Sequence, residues 1–309
     1  MRNVTVRQLR VFATVAKRMS FARAAEELHL TPPAVSMQIR ELEEQVTLPL
    51  FDRTGRTVSL TVTGEYFLVY VRRVLATLRD AEDAIANFRG LEAGRLTVGM
   101  VSTAQYYVPL LLAKFRREHP RIEIRITVGN RESLVQQLQR NEVDLAIMGR
   151  PPREIATRAE PFGAHPLVVI AAPDHPLAAL DHVPLAALAA HAFIVREPGS
   201  GTRAAMEHFF RDHRIDPPIA MELESNDTIK QAVIAGMGIS FLSLHTLGLE
   251  LGAGLLKVLD VDDLPLVRRW HVVHTLSKML SPPAEALRYF ILEEGERFLA
   301  ERFGALGVP

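Results

Sequence analysis

Residues 20–44, SFARAAEELHLTPPAVSMQIRELEE, constrain the fold more than any other stretch, because they predict two short helices joined by a tight turn. Ser20 suits the N-cap of the first helix, which we expect to end near His29. Its alanines are small enough to let the second helix cross closely. Thr31 suits the N-cap of that second helix. Two prolines follow, at positions where the N–H group that proline lacks would have no partner in a helix.

The second of these helices has two contrasting faces. Val35, Ile39, Leu42 and Val46 lie four, three and four residues apart, which predicts a single apolar face. A first helix that crosses the DNA backbone and a second that lies in the major groove form the helix-turn-helix arrangement. The alternative is an ordinary helical hairpin of a globular core. Under the first interpretation, the residues expected to contact DNA from this helix are Thr31, Pro32, Pro33, Ser36, Met37 and Arg40.

The segment after the hairpin, LPLFDRTGRTVSLTVTG, favours β structure around a turn at Gly55. Arg53 and Arg56 flank that turn and suit a wing that contacts the phosphate backbone or a minor groove. The alternative is a solvated hairpin tip. The whole chain has a formal net charge of zero, but residues 1–58 hold nine Lys and Arg against six Asp and Glu. This local excess has the sign expected of a DNA-binding end.

Residues 64–89 carry the longest helical pattern of the chain. Apolar side chains recur there at alternating steps of four and three residues, a period that is typical of a coiled-coil seam. We expect this helix to pair two chains, so that two reading helices meet a two-fold DNA site. The alternative is that the helix packs on its own domain. The residues expected to form the dimer are Phe67, Val71, Val74, Leu78 and Ile85, and the seam also includes Ala81 and Phe88.

The composition changes after Gly90 and Gly94, and strand patterns then alternate with helix patterns to the end of the chain. Such alternation predicts a parallel sheet in an α/β domain. In open α/β sheets, ligands bind beyond the carboxyl ends of the strands. The expected strands are RLTVGM, IEIRITV, DLAIMG, HPLVVIAA, AFIVRE, AMELE, GISFLS and RRWHVVHTL.

Four of these strand ends carry residues that suit an anionic ligand. Helix N-termini offer free N–H groups to an anion, and Arg203 adds a guanidinium fork for a carboxylate or phosphate. Each motif alone is more often a plain helix cap, and Arg203 could instead pair with Glu197 or Glu207 and serve the fold. Four motifs at equivalent places favour a small-molecule cleft. The residues expected to bind an effector are Ser102, Thr103, Gly129, Asn130, Gly199, Ser200, Thr202, Arg203, Asn226 and Asp227.

The sequence lacks the common signatures of enzymes and metal sites. It has no cysteine, which excludes disulfides, thiolate nucleophiles and cysteine zinc sites. It contains no P-loop, no G-x-G-x-x-G fingerprint and no G-x-S-x-G elbow. His271 and His274 lie three residues apart on an expected strand, where their side chains point to opposite faces. We therefore expect neither an enzyme nor a metal site.

The chain also lacks the patterns that direct a protein to or across a membrane. The N-terminal segment MRNVTVRQLR has no apolar core of a signal peptide. Apolar runs such as residues 167–172 fall far short of the roughly 20 residues needed to span a bilayer. We expect a cytoplasmic protein without membrane contact.

Residues 20–53 resemble the winged helix-turn-helix signature of the LysR-type transcriptional regulators, and the resemblance extends to the end of the chain. Val46 and Thr47 stand where the signature usually has Leu-Gly, a departure that we regard as tolerable. The positions that match the signature are Ser20, Phe21, Ala24, Ala25, Leu28, Pro33, Ser36, Ile39, Leu42, Glu43, Leu50, Phe51 and Arg53.

The resemblance implies a fold of three parts. Residues 1–62 would form the winged helix-turn-helix domain, residues 63–90 a linker helix for dimerisation, and residues 91–309 an effector domain. That last domain would resemble periplasmic binding proteins, with a ligand cleft between two α/β lobes. The resemblance places residues 91–163 and 268–309 in lobe I and residues 164–267 in lobe II, with crossings near Gly163 and Val267.

Within the family, EPGSGTR and ESNDTIKQAVIAGMGISFLS are most similar to the regulators of Calvin-cycle (RuBisCO) operons. That likeness implies control of a carbon-fixation operon by a phosphorylated metabolite, such as a sugar phosphate, or by NADPH. The alternative within the family is another metabolic operon and a small carboxylate effector. The implied partners are operator DNA, an anionic metabolite, RNA polymerase and further copies of the chain in a tetramer. An enzyme at residues 95–309 and a DNA-binding architectural protein without a ligand are the alternatives outside the family.

Overall fold

The computed structural model describes residues 3–52, 57–88 and 94–304, which form two compact units. One unit extends to Ile85 and includes Arg140–Glu142, and the other contains the rest of the chain. The elements that begin in the first unit are α1 (Val6–Arg18), α2 (Phe21–Leu28), α3 (Pro32–Val46), β1 (Phe51–Asp52), β2 (Ser59–Leu60) and α4 (Val62–Phe88).

Side-chain caps fix where the first three helices begin. Thr5 Oγ1 accepts a hydrogen bond from the Gln8 N–H over 3.2 Å, and Gln8 Oε1 accepts one from the Thr5 N–H over 2.9 Å. This capping box satisfies two N–H groups that have no partner within the helix. Ser20 and Thr31 cap α2 and α3, as predicted from the sequence. His29 ends α2 with a positive φ of 53°, which makes the turn between the two helices tight.

The apolar side chains of the first unit share one core. Val35, Ile39 and Leu42 of α3 are fully buried, which confirms the face predicted from their spacing. The rings of Phe12 and Phe51 lie 5.3 Å apart between centroids, so α1 and β1 pack on the same core. The opposite face of α3 therefore remains at the surface of this unit.

A short antiparallel pair follows α3, as expected for a wing. Phe51 of β1 pairs with Leu60 of β2. Glu43 Oε1 accepts hydrogen bonds from the Leu50 N–H at 2.9 Å and the Phe51 N–H at 3.1 Å, which fixes β1 against α3. Arg53 and Arg56, the predicted backbone contacts of this wing, lie outside the described residues.

The apolar stripe of α4 has two different environments. Val71 is buried and Phe67 is partly buried in the core of the first unit, whereas Val74 and Ile85 are 45% and 56% exposed. Leu78 is half-buried. The prediction of one continuous seam facing a partner is therefore wrong for the first turns of α4, because the helical domain uses the same stripe to close its core. The side chain of Phe88 lies outside the described part.

The second unit alternates strands and helices along most of its length. Its strands are β3 (Gly94–Val101), β4 (Ile122–Gly129), β5 (Leu145–Met148), β6 (Thr157–Ala171), β7 (Phe193–Arg196), β8 (Ile219–Leu223), β9 (Ser240–Ser243), β10 (Lys257–Val258) and β11 (Leu266–Thr275). Its helices are α5 (Val108–Glu118), α6 (Arg131–Gln139), α7 (Gly201–Asp212), α8 (Asn226–Ile234), α9 (Gly248–Gly252) and α10 (Pro282–Phe303). Within the described ranges, no helix is both long and apolar enough to cross a bilayer.

The main sheet is mixed, not parallel as predicted from the alternation. Its order is β10-β6-β11-β5-β3-β4, and β9 also pairs with β6. Only β3 with β4 and β5 is parallel there, whereas β6 is antiparallel to β9, β10 and β11. The pair β7 and β8 forms a separate parallel ladder. The prediction failed because β6 begins at Thr157, eight residues before the expected start at His165, and its long pairing with β11 is not visible as an alternation.

Three groups of buried side chains divide the second unit into two lobes. Lobe I is the part around the core that contains Phe115 and Leu287, and lobe II is the part around the cores that contain Phe193 and Ile229. The long strands β6 and β11 run from one lobe to the other. On β6, for example, Phe162 is buried in lobe I and Leu167 in lobe II.

Candidate effector cleft and DNA-contacting helix

The exposed face of α3 carries the residues predicted to contact DNA. Thr31, Pro32, Pro33 and Arg40 are exposed and Met37 is 55% exposed, while Ser36 is half-buried. Arg40 is the basic residue of this face. A capped helix with a buried apolar face and a polar, basic outer face meets the geometric requirement of a recognition helix.

The four strand ends singled out from the sequence meet at one place between the lobes. Arg196, the last residue of β7, donates a hydrogen bond from Nη2 to Ser102 Oγ over 3.1 Å, just after β3. Its Nη1 donates to Asn226 Oδ1 over 2.7 Å, at the start of α8. The Glu132 N–H at the start of α6 donates to the Gly199 carbonyl oxygen over 3.3 Å. Backbone and side-chain bonds therefore join lobe I to lobe II around this point.

A cavity of about 20 Å³, which we call the inner cavity, lies among these strand ends. A space of this size holds about one water molecule. Its lining residues include side chains from the ends of β3, β7 and β11 and from the N-terminus of α7. They are Val101, Ser102, Thr103, Asn130, Arg131, Met148, Gly149, Arg150, His165, Arg196, Ser200, Gly201, Thr202 and Arg268.

Two of the four arginines at the inner cavity have a carboxylate partner. Arg196 is buried and forms a two-pronged ion pair with Glu197, at 2.7 and 2.9 Å. Arg131 forms a similar pair with Glu154, at 2.9 and 3.0 Å, and this guanidinium lowers the pKa of Glu154 to about 2. These two arginines therefore contribute little net charge to the cavity.

The other two arginines keep their positive charge. Arg268 donates to the carbonyl oxygens of Gly201 at 3.1 Å and Gly149 at 2.7 Å, and no carboxylate in the described part of the chain forms an ion pair with it. Burial, together with the nearby charges of Arg150 and Arg131, lowers the pKa of Arg268 to about 10. Arg150 is exposed and also pairs with no carboxylate among the described residues. An anion placed in the inner cavity would face both cations.

A stack of aromatic rings and imidazoles adjoins the inner cavity. The His165 ring lies 3.8 Å from the Trp270 ring, at an angle of 17°. Trp270 Nε1 donates a hydrogen bond to His245 Nδ1 over 2.9 Å. Burial lowers the pKa of His165 well below its usual value and that of His245 to about 4, so both rings are neutral at pH 7.

Arg203, predicted as the charged residue of the site, does not line the inner cavity. Its Nε donates to Glu207 Oε1 over 2.6 Å, its Nη1 lies 3.4 Å from Glu222 Oε2, and Nη1 also donates to the Arg196 carbonyl oxygen. The pairing with Glu207 is the alternative that the sequence left open. Because Glu207 and Glu222 already neutralise Arg203, this residue supplies no uncompensated charge to the inner cavity.

The remaining predicted effector residues occupy several places. Ser102, Thr103, Asn130, Ser200 and Thr202 line the inner cavity. Gly199 and Arg203 line a wider groove of about 540 Å³, the outer groove, which shares Arg131, Arg150 and Ser200 with the inner cavity. Asn226 contacts Arg196, and Asp227 accepts a hydrogen bond from Tyr106 Oη over 2.8 Å. Gly129 ends β4 beside Ser133 and lines neither space.

Two arginines that reach the inner cavity from strands were not predicted from the sequence as site residues. Arg196 lies within the expected strand AFIVRE and Arg268 begins the expected strand RRWHVVHTL, and both strands were predicted from their apolar residues alone. A charged side chain within an apolar run such as AFIVRE is a usable signal, because burying it requires a partner or a ligand. Among the described residues, no group of three or more His, Cys, Asp and Glu is placed to hold a metal ion.

Residues 6–65 match the helix-turn-helix family described as "Bacterial regulatory helix-turn-helix protein, lysR family", and residues 89–296 match the "LysR substrate binding domain". The chain belongs to the LysR family. Its members are transcriptional regulators and not enzymes, and this chain is accordingly a ligand-responsive transcriptional regulator with a DNA-binding domain and an effector domain.

Three proteins illustrate what this LysR chain is similar to. The HTH-type transcriptional regulator CfxR of Cupriavidus necator is 49% identical over 306 residues, which cover 99% of this chain and 96% of CfxR. A RuBisCO operon transcriptional regulator of Allochromatium vinosum is 47% identical over 96% of this chain and 98% of its own. The CcmR regulatory domain of Synechocystis, solved in complex with 2-PG, is 43% identical with a TM-score of 0.63, over 64% of this chain and 96% of that domain.

Proposed function

We propose that this LysR-type regulator controls a carbon-fixation operon and responds to a small phosphorylated metabolite in the inner cavity. The observation that carries the proposal is the uncompensated charge of Arg268 and Arg150 in the cavity wall. A cation that is partly withdrawn from water, as Arg268 is, is costly without a partner, and an anionic ligand would supply one. The names of two relatives, the RuBisCO operon regulator and the 2-PG-bound CcmR domain, support the operon and the ligand class.

The directed part of recognition would come from groups that surround the anion. Thr103, Thr202 and Ser102 offer hydroxyl groups, and Asn130 offers an amide. The first N–H groups of α7 point out of the helix end, where the helix dipole also favours negative charge. The predicted residues Ser200 and Thr202 lie at this helix end, so they would help to place its N–H groups toward the anion. Charge from Arg268 and hydrogen bonds from this ring would together select a compact anion.

Binding would require the lobes to separate and close again. The inner cavity of about 20 Å³ is smaller than a metabolite, since ligand sites commonly occupy roughly 300–1,000 Å³. The bond between Arg196 and Ser102 would have to open for the ligand to enter. A ligand that binds one lobe arrangement better than another shifts the population toward it, which is the physical basis of an effector response.

The output would be carried by the rest of the chain. We take residues 1–62 as the DNA-binding domain, residues 63–90 as the dimerisation helix and residues 91–309 as the effector domain, with lobes divided near residues 163 and 267. Dimers would join into a tetramer that contacts two operator segments in the cytoplasm and acts on RNA polymerase. Thr31, Pro32, Pro33, Ser36, Met37 and Arg40 would face the major groove, with Arg53 and Arg56 on the backbone.

NADPH is a second candidate effector. The outer groove of about 540 Å³ joins the inner cavity at Arg131, Arg150 and Ser200, so a ligand longer than 2-PG could occupy both spaces. A sugar phosphate or NADPH would then place one phosphate near Arg268 and extend outward. Competition between NADPH and 2-PG for the purified protein separates a shared site from independent sites.

The proposal is tested by sequencing the genomic DNA fragments that the purified protein retains, with and without 2-PG, NADPH or a sugar phosphate. Enrichment of fragments next to carbon-fixation genes, with a footprint that a metabolite alters, supports the proposal. Enrichment next to genes of another pathway would contradict the operon assignment, and an unaltered footprint with every anion would contradict the ligand class.

A further inference from the structure

One polar atom beside the inner cavity, Nδ1 of His165, has no role in the effector site described above. His165 is only 3% exposed, and its Nδ1 has no hydrogen-bond partner among the described residues. Its other ring nitrogen, Nε2, shares a hydrogen bond with Ser243 Oγ over 3.0 Å. A buried polar atom without a partner costs roughly 1–3 kcal/mol, so a folded protein rarely leaves one without a function.

The unpartnered edge of the His165 ring is turned toward the cavity wall. A β-carbon added to Gly149 would lie 2.4 Å from Nδ1, so this edge of the ring abuts the backbone of Gly149. Both residues line the inner cavity, and Arg268 binds the Gly149 carbonyl oxygen. The free nitrogen and the uncompensated guanidinium therefore approach the same small space.

The groups that face His165 favour its neutral form while no anion is present. Arg268 and His271 face it from β11, and His245 faces it from the turn after β9. Each of these three groups disfavours a positive charge on the His165 ring. Ser243 on β9 is uncharged, and Arg150 in the loop after β5 adds a further positive charge near Arg268. Burial and these cations both lower the pKa of His165.

From this geometry we propose that His165 is a further effector-contacting residue: a dianion in the inner cavity favours its protonated form, which donates from Nδ1 to the dianion. The inference rests on the proposed function, because it assumes that the cavity takes an anion. A dianion offsets the charge of Arg268 and offers an acceptor to Nδ1. Because both ring nitrogens of the imidazolium carry a proton, Nε2–H then donates to Ser243 Oγ. Proton uptake and anion binding then strengthen each other by the same factor.

Trp270 provides the readout, since it is the only tryptophan in the chain and stacks on His165. A protonated imidazole quenches the emission of an indole against which it lies, so the pH dependence of the fluorescence follows the ring. The probe is sulfate, which remains a dianion from pH 4 to 8 and adds no proton exchange of its own. The full-length protein is titrated in sodium sulfate and in sodium chloride of equal ionic strength.

The inference predicts that saturating sulfate raises the pH midpoint of quenching by about one unit, which corresponds to roughly tenfold tighter sulfate binding by the protonated form. His165→Gln should abolish the shift, and His245→Gln, which changes the other imidazole near Trp270, should retain it. An unchanged midpoint in the wild-type protein would overturn the proposal whether or not the variants fold, and so would an equal shift in His165→Gln.

The two proposals fail in different ways. Wild-type protein that shows the sulfate-linked shift but binds no DNA near carbon-fixation genes contradicts the proposed operon and leaves the role of His165 standing. Protein that responds to 2-PG with no sulfate-linked shift retains the proposed function and removes His165 from the contact set.

Discussion

Arg268 Nη2 donates a hydrogen bond to the Gly149 carbonyl oxygen over 2.7 Å, which joins β11 to the loop after β5. The carbonyl oxygen fixes the orientation of the guanidinium but does not neutralise it. No carboxylate within residues 3–52, 57–88 and 94–304 forms an ion pair with Arg268. The contact therefore holds a positive charge at the wall of a cavity that hydroxyl groups, an amide and three further arginines also line.

The first prediction concerns that charge. Arg268→Gln should weaken the binding of 2-PG by roughly 2–5 kcal/mol, because it removes the charged partner of a desolvated anion. Isothermal titration calorimetry at pH 7.5 measures the change. The matched control is Arg203→Gln, whose charge is already neutralised by Glu207 and Glu222 and whose loss should change the affinity less than threefold. The reverse order of the two effects would return the anion site to Arg203.

The second prediction concerns the recognition helix. Arg40→Ala should weaken DNA binding and reduce the slope of log affinity against log salt by about one unit if Arg40 binds a phosphate. Fluorescence anisotropy between about 50 and 200 mM salt measures that slope. Arg297→Ala, at an exposed position of α10 in the effector domain, is the control and should leave both quantities unchanged. An Arg40→Ala protein that behaves like this control would move the DNA contact away from this face of α3.

The third prediction separates the two environments of α4. Ile85→Glu places a carboxylate on an exposed apolar position and should dissociate the dimer without unfolding the helical domain. Val71→Ala should instead lower the free energy of unfolding by about 1–3 kcal/mol, because it leaves a cavity in the core of the first unit. Light scattering and denaturant titration measure the two outcomes. An unchanged mass for Ile85→Glu would show that this end of α4 does not pair with a second chain.

Much of the first unit could be predicted because its signals are local. Ser20 and Thr31 cap helices that begin at the next residue, and the spacing of Val35, Ile39 and Leu42 defines a face within a single helix. The prediction of a continuous dimer seam on α4 failed because periodicity shows that a helix face is apolar but does not show which residues cover it. Val71 and Ile85 share one stripe, yet one packs within its own unit and the other is exposed.

The effector site was predictable only in part, for a related reason. Ser102, Asn130 and Thr202 follow strands or begin helices, so a rule about strand ends finds them. Arg268 reaches the same cavity from near the start of β11, where the antiparallel pairing of β6 with β11 sets it opposite His165. Pairing between segments about a hundred residues apart leaves no periodic trace in one sequence. The choice between Arg203 and Arg268 needs the positions of Glu207 and Glu222, which only the folded chain supplies.

The fourth prediction concerns pH and the buried imidazole of His245. Burial lowers its pKa from 6.5 to about 4, so the folded protein keeps it neutral while the unfolded chain takes up a proton below pH 6.5. Stability is therefore complete above pH 6.5 and falls progressively toward pH 4, by about 3 kcal/mol from this residue alone. Urea titrations at pH 7.5, 6 and 5 measure the trend. His245→Gln keeps an acceptor for Trp270 Nε1 and should show a shallower fall, and an equally steep fall would assign the pH dependence to other groups.

The most direct test of the proposed effector-gated regulator is a footprint of the protein on a promoter of carbon-fixation genes, with increasing 2-PG. We predict that 2-PG changes the protected region for the wild-type protein. Arg268→Gln should protect the promoter equally well without 2-PG and show no change with it, because the substitution leaves unchanged the face of α3 that we propose contacts DNA. A wild-type footprint that no concentration of 2-PG alters, or an Arg268→Gln footprint that responds as the wild type does, would contradict the assignment of the effector to the inner cavity.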